Sequence, residues 1–374
     1  MGNGLFRTAL AMTPDTLVFL FGALATERAM EAFGLVHGVP AQAAKIGMVP
    51  GFGTPFEGIG PSESDLDGIL VSVDAETMSK MQWLAQFLGH AQWEIEAGGK
   101  TAIIFGWGAQ AGQARDWGDL GATALPDILA YYPDVRGARM RALAKIVLAR
   151  TETRLRALAH TAPRNLRRGP GRQAVRESAV EQPHRGFFQL DDVTLTHPRF
   201  DGGTETVRRE TFVGTDATLV LPYDPISDRV VLIEQFRVGP YRRGDPLPWM
   251  LEPVAGLIDP GETAESTAFR EAREEAGITL GALEPMPGGY PSPGATAEYF
   301  HMFIGLTDLR DYRPRQAGLA DEGEDILSHV VSLGDALELL ETGEAAVVPL
   351  ALMLTWTALH RERLHSIELR RRGG

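Results

Sequence analysis

The chain has 374 residues, no cysteine, 44% hydrophobic residues and a formal net charge of −13. Such a length accommodates two domains, the lack of cysteine excludes disulfides and thiolate metal centres, and the acidity argues against nucleic acid as a partner. No signal-peptide pattern and no apolar run of about twenty residues is present, so no membrane partner is expected and the cytoplasm is the expected compartment.

In chain order, Leu17 to Leu24 is an apolar run too short to span a membrane, read as a buried strand before a turn and a helix-like segment. GILVSV from Gly68 and TAIIFGW from Thr101 predict further strands, and Arg136 to Leu158 predicts a long basic helix or two joined helices. GGKT at Gly98 is not a phosphate-binding loop, because Glu94 stands where the first glycine of that motif is required. FLFGAL, Phe19 to Leu24, resembles the F-x-Y-G-S/T-L signature of the gamma-glutamylcyclotransferase-like fold, with Phe21 and Ala23 in place of its tyrosine and serine. The resemblance implies a mixed β-barrel and helix domain over residues 1–162. Enzymes of that family need an acid after the helix, and MQWLAQFLGHAQ, Met81 to Gln92, contains no Asp or Glu. This domain is therefore expected to keep the fold without the cyclotransferase activity.

Residues 163–184, rich in arginine, proline and glycine, read as an exposed linker. Beyond it come RGFFQLDDVTLTHPRF from Arg185, ETVRRETF from Glu205, VVLIEQFRVGPY from Val230 and PWMLEPVAGLIDPGE ending at Glu262. Gly256 to Ile278 then reads GLIDPGETAESTAFREAREEAGI. Seven specified positions in this run (Gly256, Glu262, Arg270, Glu271, Glu274, Glu275 and Gly277) would coincide by chance on the order of once in 10^8 starting points, which removes accident as an explanation. Helical periodicity places Glu271, Glu274 and Glu275 together on the last turns before Gly277 ends the helix. Like charges at that spacing repel, and the negative end of the helix dipole worsens the repulsion, so a cation is expected there. Hard divalent ions take carboxylate oxygens and substrate phosphates together, which suits a diphosphate hydrolase. Arg270 and Glu262 are read as bracing the loop and helix.

The run resembles the Nudix box, G-x5-E-x7-R-E-U-x-E-E-x-G-U, with Ala272 and Ile278 at the apolar U positions. With its flanks it looks like the ADP-ribose pyrophosphatase branch, which implies an α/β/α sandwich over residues 185–374. That resemblance implies Mg2+, with Mn2+ as a substitute, held by Glu271, Glu274, Glu275, the Ala255 carbonyl and Glu324. It further implies Glu322, in GLADEGEDI, as the general base, with Glu274, Glu275 and Arg270 completing the catalytic set. Arg237 would contact the diphosphate or ribose, Phe187 and Arg209 would hold adenine, and Ser292 and Glu298 would line the pocket. In that branch the pocket is often completed by a second subunit, so a homodimer through this domain is implied. The fusion of the two domains resembles bacterial proteins labelled as tellurite-resistance-associated, a label that implies no mechanism. Hydrolysis of ADP-ribose to AMP and ribose 5-phosphate is the expected reaction. Another nucleoside diphosphate-sugar, or a nucleotide sensor with weak catalysis, is the alternative.

Overall fold

The computed structural model describes residues 16–43, 46–49, 58–61, 65–88, 90–106, 120–135, 138–319 and 323–373. The chain divides into two compact units, Met1–Ala162 and Pro163–Gly374.

In the first unit the elements run β1 (Thr16–Leu20), α1 (Glu27–Ala32), β2 (Val39–Ala43), β3 (Ile46–Val49), β4 (Gly58–Pro61), β5 (Leu66–Val73), α2 (Ala75–Leu88), β6 (Ala91–Ala97), β7 (Lys100–Gly106), α3 (Leu120–Leu129) and α4 (Ala138–Ala159). Five strands close a barrel in the order β1-β5-β2-β6-β7, sealed by the parallel pairing of Val18 with Ile103. The continuous apolar run of β1 follows from burial on both faces. Val18 and Leu20 pack with residues of α2, α3 and α4, while Phe19 and Phe21 join Leu70, Ile95 and Ile104 in a second cluster. The expected strand over Leu17 to Leu24 ends at Leu20, because Gly22–Ala25 turns as a 3-10 helix.

The second unit continues with β8 (Arg176–Arg185), β9 (Gln189–Pro198), β10 (Thr204–Val213), β11 (Ala217–Asp224), β12 (Arg229–Phe236), α5 (Val238–Arg243), β13 (Trp249–Glu252), β14 (Val254–Leu257) and α6 (Ala264–Ala276). It ends with β15 (Ala282–Gly289), β16 (Phe300–Leu306), β17 (Gln316–Ala317), β18 (Ile326–Ser332), α7 (Leu333–Thr342), α8 (Val348–Leu359) and α9 (Arg361–Gly373). The segment read as a linker thus contributes most of β8. Its sequence RESAVEQPHR is exposed along nearly its whole length, so it carries no apolar period to mark it as a strand. β8, β9 and β10 form a separate antiparallel sheet.

An eight-stranded mixed sheet organises the remainder, with β11 buried at every residue. One face packs Val220, Val231 and Ile233 against Ala268, Ala272 and Ala276 of α6. On the other face, Leu219, Leu221 and Leu232 pack against Leu350, Met353 and Leu354 of α8 and Leu364 of α9. This is the expected α/β/α sandwich. β11 and β12 pair only at Tyr223↔Val230 and Asp224↔Arg229 and then part. β13 takes the vacated edge of β12 and β14 that of β11, with Pro253 alone between them. Proline has no N–H to leave unpaired at such a crossing.

Candidate active site

α6 begins with a reciprocal cap, in which the Thr263 hydroxyl accepts from Ser266 N–H at 3.1 Å and the Ser266 hydroxyl accepts from Thr263 N–H at 2.9 Å. Alanines at 268, 272 and 276 let the helix lie close to the sheet, and the neighbouring stripe carries Glu271 and Glu275 into the same interface. Gly277 ends the helix at φ +64, a left-handed conformation that disfavours a side chain.

Glu271 and Glu275 are 8% and 2% exposed. Gly256 on β14 lies against the first of them, where an added Cβ would sit 1.7 Å from Glu271 Oε1. The N–H of Ala255 donates to Glu275 Oε2 at 2.9 Å. A strand residue in an antiparallel ladder directs N–H and C=O to the same side, so the Ala255 carbonyl lies on the edge facing α6. Burial lifts the Glu271 carboxyl to about 7, opposed by Arg270 and assisted by Glu274 and Glu324. Burial pushes Glu275 well above the usual carboxylate range too, against the Ala255 N–H and Arg237 and together with the charges of Glu271 and Glu324.

Arg270 answers part of this charge. Its Nε and Nη2 donate to Glu262 at 2.9–3.3 Å, Nη2 also reaches the Leu257 carbonyl at 3.3 Å, and Nη1 donates to Glu271 Oε1 at 2.6 Å and Glu274 Oε2 at 3.0 Å. Thr267 donates to the same Glu262 at 2.8 Å. Despite its burial Glu262 stays below its ordinary pKa because Arg270 and Thr267 favour the ionised form. The brace expected from the box is therefore built, and Arg270, placed in the catalytic set by resemblance, spends its donors on holding acids and backbone.

Among the described residues, no group of three or more His, Cys, Asp or Glu side chains forms a ready metal cage. Arg270 Nη1, which donates to both Glu271 and Glu274, brings positive charge to this edge of the cluster. The donor set still suits a hard cation. Two carboxylates whose protonation is favoured by burial and by the charges of neighbouring acids, beside a backbone carbonyl and a glycine cradle, are oxygen ligands whose negative charge Arg270 and Arg237 offset only in part.

The other expected residues divide into two groups. Arg237, just past β12, and Glu324 lie close enough for their charges to act on Glu275. Arg237 binds Glu252 of β13 through Nε at 3.0 and 3.1 Å and Nη2 at 2.6 Å. The Glu324 carboxylate accepts the Leu319 N–H at 3.0 Å, closing the base of its loop, and Gly318 N–H reaches the Glu274 carbonyl at 3.3 Å. Glu322 lies outside the described residues. The second group sits around the three-stranded sheet. Phe187 is exposed at the β8–β9 hairpin tip, Arg209 on β10 donates to the Arg208 carbonyl, and Ser292 and Glu298 flank a turn bonded to Phe212. Glu298 accepts from Thr296 at 3.0 Å, and among the described residues none of these four bonds to the α6 acids. Sequence reasoning missed Glu252 and Thr267. Glu252 stood in PWMLEPVAG as the only acid of that stretch before Gly256, which is the one signal that could have marked it.

The NUDIX domain family matches residues 215–351. An ADP-ribose pyrophosphatase of Escherichia coli (strain K12) is 40% identical over 203 residues, covering 54% of this chain and 96% of the relative. The chain belongs to the Nudix family. A GDP-mannose pyrophosphatase of Escherichia coli O1:K1 / APEC is 34% identical over 158 residues, 42% of this chain and 81% of the relative. A solved structure described as an ADP compounds hydrolase aligns over 50% of this chain and 97% of its own, at 25% identity and a TM-score of 0.39. The second unit is thus a Nudix hydrolase, and the glycine cradle, brace and buried acid pair described above are its box.

Proposed function

We propose that the Nudix unit hydrolyses ADP-ribose to AMP and ribose 5-phosphate with Mg2+, which Mn2+ can replace. The observation carrying this reading is the buried pair Glu271 and Glu275 against Gly256 and Ala255, together with the 40% identity to an ADP-ribose pyrophosphatase. Glu271, Glu275 and the Ala255 carbonyl would hold the cation, with Glu274 and Glu324 as further oxygen donors. Bound there, the ion neutralises the diphosphate and the charge that builds on the bridging oxygen. Arg237 binds the diphosphate, and Glu322 takes a proton from the attacking water as its oxygen bonds to phosphorus and the bond to the bridging oxygen breaks. Phe187 and Arg209 stack and bind adenine, and Ser292 and Glu298 shape the pocket. Their position on or beside the three-stranded sheet, where Phe187, Phe188 and Phe212 are exposed, supports a homodimer that covers that sheet.

The relative that acts on GDP-mannose favours a second reading in which another nucleoside diphosphate-sugar is the substrate. For the first unit, the closed barrel supports kinship with the gamma-glutamylcyclotransferase-like fold without its activity. Met81 to Gln92 offers His90, held down to about 4 by burial, and no carboxylate. Release of the nucleoside monophosphate, AMP from ADP-ribose, NADH and FAD, GMP from GDP-mannose and UMP from UDP-glucose, would be measured across the five compounds. ADP-ribose is expected to be the best substrate, with Glu275→Gln slower by about a hundredfold or more. Unchanged turnover in that variant rejects the site.

A further inference from the structure

Ile233, Gln235 and Arg237 alternate onto the face of β12 that packs against α6, and Glu252, paired with Ile233 across the ladder, shares that face. The Glu252 side chain is 12% exposed and receives three hydrogen bonds from Arg237 at 2.6–3.1 Å and one from Gln235 Nε2 at 3.1 Å. All of the Arg237 bonds use its Nε and Nη2 edge, and among the described residues Nη1 has no partner. Arg237 is also the cation whose charge acts on Glu275 and Glu324. A long guanidinium beside several acids can bind the same carboxylate oxygens as a metal ion, and Arg270 Nη1, which donates to both Glu271 and Glu274, makes such a contact within this site.

We propose that Glu252 is a positioning residue that clasps one edge of Arg237, keeping this guanidinium off Glu271, Glu275 and Glu324 while presenting Nη1 to a substrate diphosphate. The proposal rests on the reading of these acids as cation ligands and of Arg237 as a phosphate contact. A carboxylate gripping two nitrogens fixes the plane of the guanidinium as well as its position, which a single hydrogen bond does not. Gln235, 8% exposed, donates to the same Glu252 Oε2 that receives Arg237 Nη2, so the carboxylate has a second anchor that does not move with the arginine.

The test is Mn2+ binding to the full chain without nucleotide, followed by electron paramagnetic resonance of the free ion. Glu252→Ala is expected to weaken Mn2+ binding about tenfold, since a cation brought within contact of a carboxylate shifts its affinity for another by that order or more. Glu252→Asp is expected to restore most of the loss. The double variant Glu252→Ala with Arg237→Ala is expected to bind as Arg237→Ala alone, because the arginine that would invade the site is gone. Binding by Glu252→Ala equal to wild type overturns the proposal, as does a double variant that stays as weak as Glu252→Ala. If instead wild type hydrolyses no nucleoside diphosphate derivative, the proposed activity fails while the Mn2+ comparison still decides the role of Glu252.

Discussion

Replacing Glu271 by Gln is expected to stabilise the cation-free protein at pH 8 and to remove the stabilisation that Mg2+ confers. Glu271 is 8% exposed, and burial, opposed by Arg270, raises its carboxyl from the ordinary 4.5 to about 7. An acid whose folded pKa exceeds its unfolded value favours the folded state only while protonated. Relative to pH below about 4.5, stability therefore falls as pH rises through the interval up to about 7, and the full cost is present above it. The difference between about 7 and 4.5 is about 2.5 units, or about 3 kcal/mol at about 1.36 kcal/mol per unit. The pull of Arg270 is already inside that figure, and allowing about 1 kcal/mol for the imperfect match of an amide to the carboxyl group's hydrogen bonds leaves a net gain of about 2 kcal/mol. For a unit of this size that is about 4–8 °C in melting temperature. Calorimetry in EDTA should show Glu271→Gln melting above wild type at pH 8, with the gap closing at pH 5. Adding Mg2+ should raise wild type only. A variant that melts below wild type at pH 8 in EDTA would refute the argument that burial of this charge is a net cost.

Two glycines give sharper steric tests. Gly256→Ala places a Cβ 1.7 Å from Glu271 Oε1 and 2.1 Å from its Cδ, so kcat/KM should fall about a hundredfold or more through displacement of a ligand. Circular dichroism should be unchanged, and kcat/KM within threefold of wild type would show that the carboxylate does not need that space. Gly277→Ala combines φ +64 with a Cβ 2.3 Å from Arg315 Nη1, and should cost about 1–2 kcal/mol in urea unfolding.

The box was legible because its parts are local. Three alanines at helical spacing, a threonine cap and a terminal glycine define α6 within one run of sequence, and the acids inherit their places from it. The core strands were legible for the same reason: GILVSV lies on β5, and TAIIFG lies on β7 up to Gly106, with Trp107 outside the described residues. β8 was not legible, since both its faces are solvated and its order comes from pairing with β9. Nor was the Arg237–Glu252 clasp, whose partners are fifteen positions apart and meet only because β13 occupies the edge that β11 leaves.

That fork in the sheet has a consequence for which changes of length the chain tolerates. Between Glu252 and Val254 there is one proline, and the residues on either side are tied to different branches. An insertion there would shift Glu252 out of register with Ile233 or Ala255 out of register with Leu219, disturbing either the arginine grip or the carbonyl beside the acids. The stretch from Gly244 to Leu247, which is mostly solvent-exposed and lies outside every ladder, bears no such constraint. Relatives that differ in length between β12 and α6 should therefore vary before Trp249 and keep a single residue at the fork.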